Sequence, residues 1–219
     1  MSSPAQQMEQ PPRIHRSRNK RIFAWVMSRE SKAYEPETEE RKRRLLGNLQ
    51  GIVVEIGPGT GPNLPYYPEG IRWIGIEPNP YMHKYLRQEA ERRGLEVDLR
   101  AGTAEHIDLP DSSADAVVST LVLCSVGDQA RALQEIVRVL KPGGRFVFIE
   151  HVAAPQGTMM RRVQRGMRPV MKSLADGCNP DRETWAAIEQ ASFSSAEIEH
   201  YSLGGFSFVA PHISGVAIK

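Results

Sequence analysis

One carboxylate and three closely spaced glycines, Glu55-Ile-Gly57-Pro-Gly59-Thr60-Gly61, follow the apolar residues Ile52, Val53 and Val54. Glycines let a backbone approach a ligand closely and turn through conformations closed to other residues. The string is not G-x-G-x-x-G, and it lacks the Lys of a phosphate-binding P-loop. With an acid and no cation, it suits a ligand carrying an ammonium group better than a pyrophosphate. A second acid, Glu77, ends the next apolar run, where a carboxylate can accept both hydroxyls of a ribose. A third polar cluster, AGTAEHIDLP at Ala101–Pro110, comes where a base ring would lie. Amino acid, ribose and base are the three parts of S-adenosylmethionine (SAM). Each feature alone has an ordinary explanation: a glycine-rich turn serves other nucleotides or only reverses the chain, and an acid at a strand end is commonly just solvated. Their order and spacing point to SAM.

The elements that must carry these residues alternate. IVVEI, IRWIGIE, LEVDLRAG, the start of ADAVVSTLVL and RFVFIEHV read as strands rich in apolar and β-branched residues. NPYMHKYLRQEAERRG reads as an amphipathic helix closed by Gly94. DQARALQEIVRVLKPGG reads as a second, with Leu133, Ile136, Val137 and Leu140 on one face and a stop at Lys141–Gly144. Such alternation predicts right-handed βαβ units and a parallel sheet covered on both faces. SSAEIEHYSL and HISGVAIK add two strands, the last expected to be antiparallel. Upstream, Ile22, Trp25 and Val26 fit one helix face. EPETEERKRRLLGNLQG predicts a helix with Pro36 in its first turn and Gly47 at its stop. Met1–Pro12 is expected to be disordered. The division expected is a tail and helical cap over residues 1–48 and one domain over 49–219.

On the acceptor side, His151 in EHV follows the fifth strand and reads as a base, an orienting group or a strand-end cap. Cys124 in VLCSV reads as a small buried hydrophobe or a substrate contact. His212 in PHISG opens the last strand. DGCNPDRETW reads as a turn before a helix capped by Asn179 or Asp181. MMRRVQRGMRPVMKSL is an amphipathic helix whose Met159, Met160, Met167 and Met171 either pack or form a soft lid over an apolar acceptor.

Composition excludes several classes. The chain has 219 residues and a formal net charge of +2, so nucleic acid is not an expected partner. No run approaches the length of a membrane span, and no signal-peptide core opens the chain. The two cysteines, Cys124 and Cys178, are too few and too far apart in sequence for a disulfide framework or a zinc site, so no metal is expected and a reducing cytoplasm is the default.

Residues 53–150 resemble a class I SAM-dependent methyltransferase through VVEIGPGTG, IGIEPNP, GTAEHIDLPDSSADAVVSTLVLCSV and EIVRVLKPGGRFVFIEHV. A closer resemblance, from about Leu49 to Lys219, is to the methyltransferase-like protein 7 family, whose animal members methylate small thiols. It rests on TLVLCSV, LQEIVRVLKPGG, EHVAAPQG, DGCNPDRETW and PHISGVAIK. The resemblance implies a Rossmann-like α/β fold with a mostly parallel seven-stranded sheet, helices on both faces and an N-terminal helical cap. It implies that Glu55, Gly57, Gly59, Thr60 and Gly61 hold the amino-acid end of SAM. Glu77 would take the ribose, with Pro78 and Asn79 shaping the wall. Thr103, Ala104 and Glu105 would border the adenine, and Thr103 stands where many relatives have Asp. Leu121 would lie near the reactive methyl, and His212 gains a place in the substrate pocket. One departure stands out. The animal proteins carry an apolar N-terminal anchor, whereas here RIHRSRNKRIFAWVMSRESKAYE is basic and polar, so no integral membrane attachment is expected. A cap over the cofactor is the first reading of that segment, and weak contact with anionic lipid the second.

The function expected is methyl transfer from SAM to a small molecule, with thiol sulfur preferred. The alternatives are an O-, N- or C-methyltransferase of an aromatic or quinone acceptor, or a SAM-binding protein without turnover. The oligomeric state is not read from the sequence.

Overall fold

The structure is a computed structural model that describes residues 18–204 and 207–219, with backbone alone at 18 and 29–35. The expected disorder of Met1–Pro12, and the basic residues Arg13, His15 and Arg16, lie outside the described residues. Helix α1 (Arg18–Leu46) leads into strand β1 (Ile52–Ile56), then β2 (Arg72–Ile76), α2 (Met82–Arg93), β3 (Asp98–Arg100) and β4 (Ala114–Thr120). There follow α3 (Gln129–Val139), β5 (Leu140–His151), α4 (Met159–Leu174), α5 (Thr184–Gln190), β6 (Ser195–Ser202) and β7 (Pro211–Ile218). The seven strands form one sheet in the order β3-β2-β1-β4-β5-β7-β6. All pairings among β1 to β5 are parallel, and β7 runs antiparallel to both β5 and β6. The order reverses beside β1, and ligands of such open sheets bind at that switch, beyond the strands' carboxyl ends.

The apolar runs are continuous because both sheet faces are covered. Val54, Ile56, Ile74, Ile76, Val117, Phe146 and Phe148 pack with Leu133 and Ile136 of α3 and Ile188 of α5. On the other face, Val53, Val118, Val147 and Ile149 pack with Leu45 and Leu46 of α1. Trp73 packs with Leu86 and Ala90 of α2. Gly94 closes α2 in the left-handed conformation, with φ of 63°.

Two boundaries differ from expectation. Residues 18–46 form one helix with Pro36 inside it rather than near a start. Ile22 and Trp25, which share one helix face, are 60% and 51% exposed, while Ala24, Thr38, Lys42 and Leu46 are fully buried. The helix packs inward through small and mixed residues. Helix α3 stops at Val139, just short of Leu140, a residue expected on its face, because Leu140 pairs with Ala114 and Arg145 with Ala116 across a register shift that takes up Lys141–Gly144, the expected stop. Gly47 ends α1 as expected, its N–H donating to the Arg43 carbonyl (3.0 Å).

Candidate active site

Strand β1 delivers its glycine loop to the sheet's carboxyl edge. Gly57 has φ of 57°, and a Cβ there would lie 2.6 Å from Val122 Cγ2, so a side chain is excluded twice over. Gly59 also has φ of 57°, but a Cβ there would meet nothing within 4 Å. Thr60 is half-buried in the same loop, and Gly61 turns it by donating to the Pro58 carbonyl (2.9 Å).

Glu77 sits just beyond β2 and grips that loop. Its Oε2 accepts from Gly59 N (2.9 Å) and its Oε1 from Asn79 N (2.7 Å). Burial pushes its carboxyl up to about 7, against the pull of those two backbone donors. Each oxygen keeps a second lone-pair direction for a hydroxyl. Pro78 is half-buried beside it, and the fully buried Asn79 donates from Nδ2 to the Lys20 carbonyl of α1 (3.1 Å). The start of α1 therefore lies beside the Glu77–Asn79 turn.

Glu55 is inside the protein, not open to the loop. Its carboxylate accepts from Asn63 Nδ2 (2.8 Å), Tyr67 Oη (2.8 Å) and Trp73 Nε1 (3.0 Å). Burial raises its pKa, while those donors and nearby Lys42 of α1 oppose the rise. Asn63, which the sequence reading left without a role, also donates to Thr120 Oγ1 (2.9 Å), and its buried Oδ1 has no hydrogen-bond partner. A buried acceptor backed by a carboxylate suits an ammonium group. With the open space at Gly59 and the diol-accepting Glu77, it makes this edge fit the amino-acid and ribose parts of SAM.

Beyond β3, Thr103 is half-buried, with its carbonyl accepting from His106 N (3.2 Å), and Ala104 packs into the core. Glu105 turns away to the start of α3, accepting from Gly127 N (2.7 Å). Its carboxylate is thus engaged by the turn ahead of α3. Leu121, directly after β4, has φ of 58°. A branched side chain there is strained, and such strain collects at functional sites.

The structure joins residues that the sequence holds far apart. Cys124, His151 and Cys178 are all buried, and their ligand atoms lie within 4.8 Å of one another. His151 Nε2 faces Cys178 Sγ at 3.2 Å, and its Nδ1 has no hydrogen-bond partner. Cys124 is the more acidic thiol, its pKa lowered first by the facing Cys178 and then by His151. The fully buried Glu150, next to His151, accepts from Ser119 Oγ and from Val122 N and Leu123 N (3.2 Å each), fixing the turn that presents Cys124. Burial pushes its carboxyl up to about 8. His212 pairs with His151 across β5 and β7, with ring centroids 6.3 Å apart, and its Nδ1 lies 2.8 Å from the Ala210 carbonyl. Burial lowers its pKa to about 4.

Asn179 and Asp181 do not cap α5, which starts after Glu183 without a side-chain cap bond. Asn179 instead donates through N (2.9 Å) and Nδ2 (3.2 Å) to the Cys124 carbonyl. Of the methionines on α4, Met159 is 68% exposed and the other three are half-buried. Two polar clefts, of about 240 and 440 Å³, lie at the strands' amino ends, remote from all these groups.

Known proteins agree with this layout. A family profile described as a methyltransferase domain matches residues 54–148. The human thiol S-methyltransferase TMT1A is 41% identical over 213 residues, 91% of this chain and 87% of that protein. Rat thiol S-methyltransferase TMT1B is 38% identical with the same coverage. Among solved structures, the methyltransferase bound to the Trm112 activator of Haloferax volcanii superimposes with a TM-score of 0.71 at 17% identity, covering 93% of this chain and 98% of that one. A SAM-dependent methyltransferase of Thermotoga maritima gives 0.59 at 23% identity, covering 89% and 99%. These two likenesses establish the fold, a Rossmann-like class I methyltransferase sheet. With identity to TMT1A and TMT1B sustained along nearly the whole chain, the protein belongs to their family and is a SAM-dependent methyltransferase.

Proposed function

We propose that the enzyme methylates the sulfur of a small thiol. The observation that carries this is the 41% identity to a thiol S-methyltransferase across 91% of the chain. SAM supplies a methyl group already activated on a sulfonium. The protein's own residues then bind, orient and exclude water. In this reading Gly57, Gly59, Thr60 and Gly61 lie along the methionine portion, and Asn63 Oδ1, backed by Glu55, accepts from its ammonium. Glu77 accepts from the ribose hydroxyls beside Pro78 and Asn79. Thr103 and Ala104 border the adenine, with Glu105 shaping that wall through the start of α3 rather than by direct contact. Leu121 presents the methyl end toward Cys124, His151 and His212, which line the acceptor side.

A thiol needs little activation. With a pKa of about 8.5, several percent is thiolate at neutral pH, whereas a phenol near 10 needs a base. No helix among the described residues is long and apolar enough to cross a membrane. The reading keeps the enzyme in a reducing compartment such as the cytoplasm, in keeping with two free thiols.

Labelled SAM offered with an alkyl thiol, hydrogen sulfide, a catechol and an indole tests the acceptor class. Turnover is expected on the thiols and should rise with pH as thiolate forms. Turnover confined to catechol or indole would reject the reading.

A further inference from the structure

We propose that Cys124, His151 and Cys178 form a binding site for one zinc ion, with its fourth coordination position open to the acceptor thiolate. Nothing in the methyl-transfer reading requires a metal, and the sequence argued against one. The fold supplies what the sequence spacing hid.

The donor set comes first. Two thiol sulfurs and one imidazole nitrogen converge within 4.8 Å in a buried place. A tetrahedral zinc with Zn–S of about 2.3 Å and Zn–N of about 2.0 Å separates its sulfurs by about 3.8 Å and sulfur from nitrogen by about 3.5 Å. The His151 Nε2 to Cys178 Sγ distance of 3.2 Å needs to open only by a few tenths of an ångström. Soft thiolates with imidazole select zinc over the oxygen-seeking cations. Three protein ligands rather than four are the mark of a reactive zinc, with one position for substrate.

The second observation is the imidazole itself. His151 is only 6% exposed, its Nε2 faces nothing stronger than a thiol, and its Nδ1 has no hydrogen-bond partner. A metal at Nε2 would replace that weak contact with a strong one, while Nδ1–H is unpartnered with or without it. The third observation is rigidity. The loop carrying Cys124 is tied to the loop carrying Cys178 by Asn179, whose N and Nδ2 both reach the Cys124 carbonyl. Arg182 adds bonds to the carbonyls of Leu123 (2.8 Å) and Val126 (2.7 Å). Glu150 holds the same turn from the sheet side. A ligand set held this firmly from outside is what a metal site requires.

The position beside the donor gives the ion a task. Cys124 Sγ lies 3.6 Å from the carbonyl of Leu121. Zinc binding releases the two cysteine protons to solvent. An acceptor thiol loses a third proton as its sulfur takes the open position. A lone pair on that sulfur then forms the new S–CH3 bond. The sulfonium C–S bond breaks, and its electron pair stays on the sulfur of S-adenosylhomocysteine. The thioether product, uncharged and a poorer ligand, leaves. Only this last role rests on the thiol reading above; the metal site itself does not.

The test uses the full chain, reduced and stripped with a chelator, then titrated with cobalt(II) and afterwards with zinc. We expect one equivalent of cobalt, the visible bands of tetrahedral coordination, a near-ultraviolet thiolate charge-transfer band, and displacement by zinc. Cys124→Ser and Cys178→Ser should each lower that band and weaken zinc at least about tenfold. Calorimetry with SAM and circular dichroism show whether those variants fold. His151→Gln, which keeps both thiols, serves should either fail. Added acceptor thiol should change the cobalt spectrum. Failure of the reduced wild-type chain to bind either metal stoichiometrically overturns the site. So does undiminished binding in a folded variant lacking both thiols, or a Cys124–Cys178 disulfide in the active protein. Thiol turnover by a proven metal-free chain rejects the metal and keeps the thiol reading. Metal binding without thiol turnover does the reverse.

Discussion

Glu77 shows how one residue serves two ends. Its carboxylate shapes the glycine loop through Gly59 N and Asn79 N, and in the proposed reading the same group meets a ribose. Burial raises its pKa to about 7. Between the ordinary carboxylate range and that value, the folded chain holds a proton that the unfolded chain has lost. Its contribution to the stability of the ligand-free chain is therefore full at low pH and lost as pH rises through about 7. Ligand binding runs the other way, since an ionised carboxylate is the better acceptor for two hydroxyls. SAM affinity should rise about tenfold from pH 6 to pH 8, following the ionised fraction. Titration calorimetry across that range checks this. Glu77→Gln should bind more weakly and lose the pH dependence. A flat wild-type profile would remove Glu77 from the ribose.

At the scale of the element, α1 runs from the carboxyl edge, where Lys20 meets Asn79, along one face of the sheet to the start of β1. Its later half is anchored on the antiparallel strands: Arg41 and Arg44 both reach Glu199 (2.7 and 2.8 Å), and the Arg41 guanidinium lies 3.7 Å from the Tyr201 ring centroid. Its first turn rests on the donor site, where Asn79 holds the Lys20 carbonyl and Lys20 Nζ lies 3.6 Å from Asp176. The latch at Asn79 is one part-buried hydrogen bond, worth roughly 0.5–1.5 kcal/mol. Asn79→Ala should therefore speed SAM release by roughly twofold to tenfold. It should also hasten proteolytic cutting near Lys20 and Arg21. Stopped-flow release and limited proteolysis measure the two. Unaltered release with faster cutting would make α1 a cover that does not gate the cofactor.

For the whole molecule, the decisive join is between the parallel sheet and its antiparallel extension. Strand β7 is paired on both sides, to β5 and to β6, and it carries His212 opposite His151. Gly215 in its middle tolerates nothing larger: an added Cβ would lie 1.9 Å from the Glu197 carbonyl oxygen and 2.8 Å from Phe148 Cζ. A backbone carbonyl within a paired strand cannot step aside. Gly215→Ala should cost at least about 1–3 kcal/mol of stability. A denaturant midpoint shifted down at constant slope would record it. An unchanged midpoint would mean that β6 is free to move off β7.

What the sequence determined by itself was local. The apolar runs gave the strands because burial on both faces demands continuous hydrophobicity. Gly94 marked a helix end, and the glycine loop and Glu77 stood out because few residue types suit their tasks. Relations across the sheet were decided by tertiary structure. The closure of Asn63, Tyr67 and Trp73 around Glu55 is marked in no short stretch. Nor is the bond from Gly127 N to the Glu105 carboxylate, nor the packing of α1 through Ala24, Thr38 and Lys42. Cys124 and Cys178 read as isolated until the loop ahead of α5 folds back beside β4 and β5. Periodicity and turn chemistry act over a few residues and leave their mark in the sequence. The meeting of Cys124, His151 and Cys178 depends on strand order and loop path, which no short stretch of chain encodes.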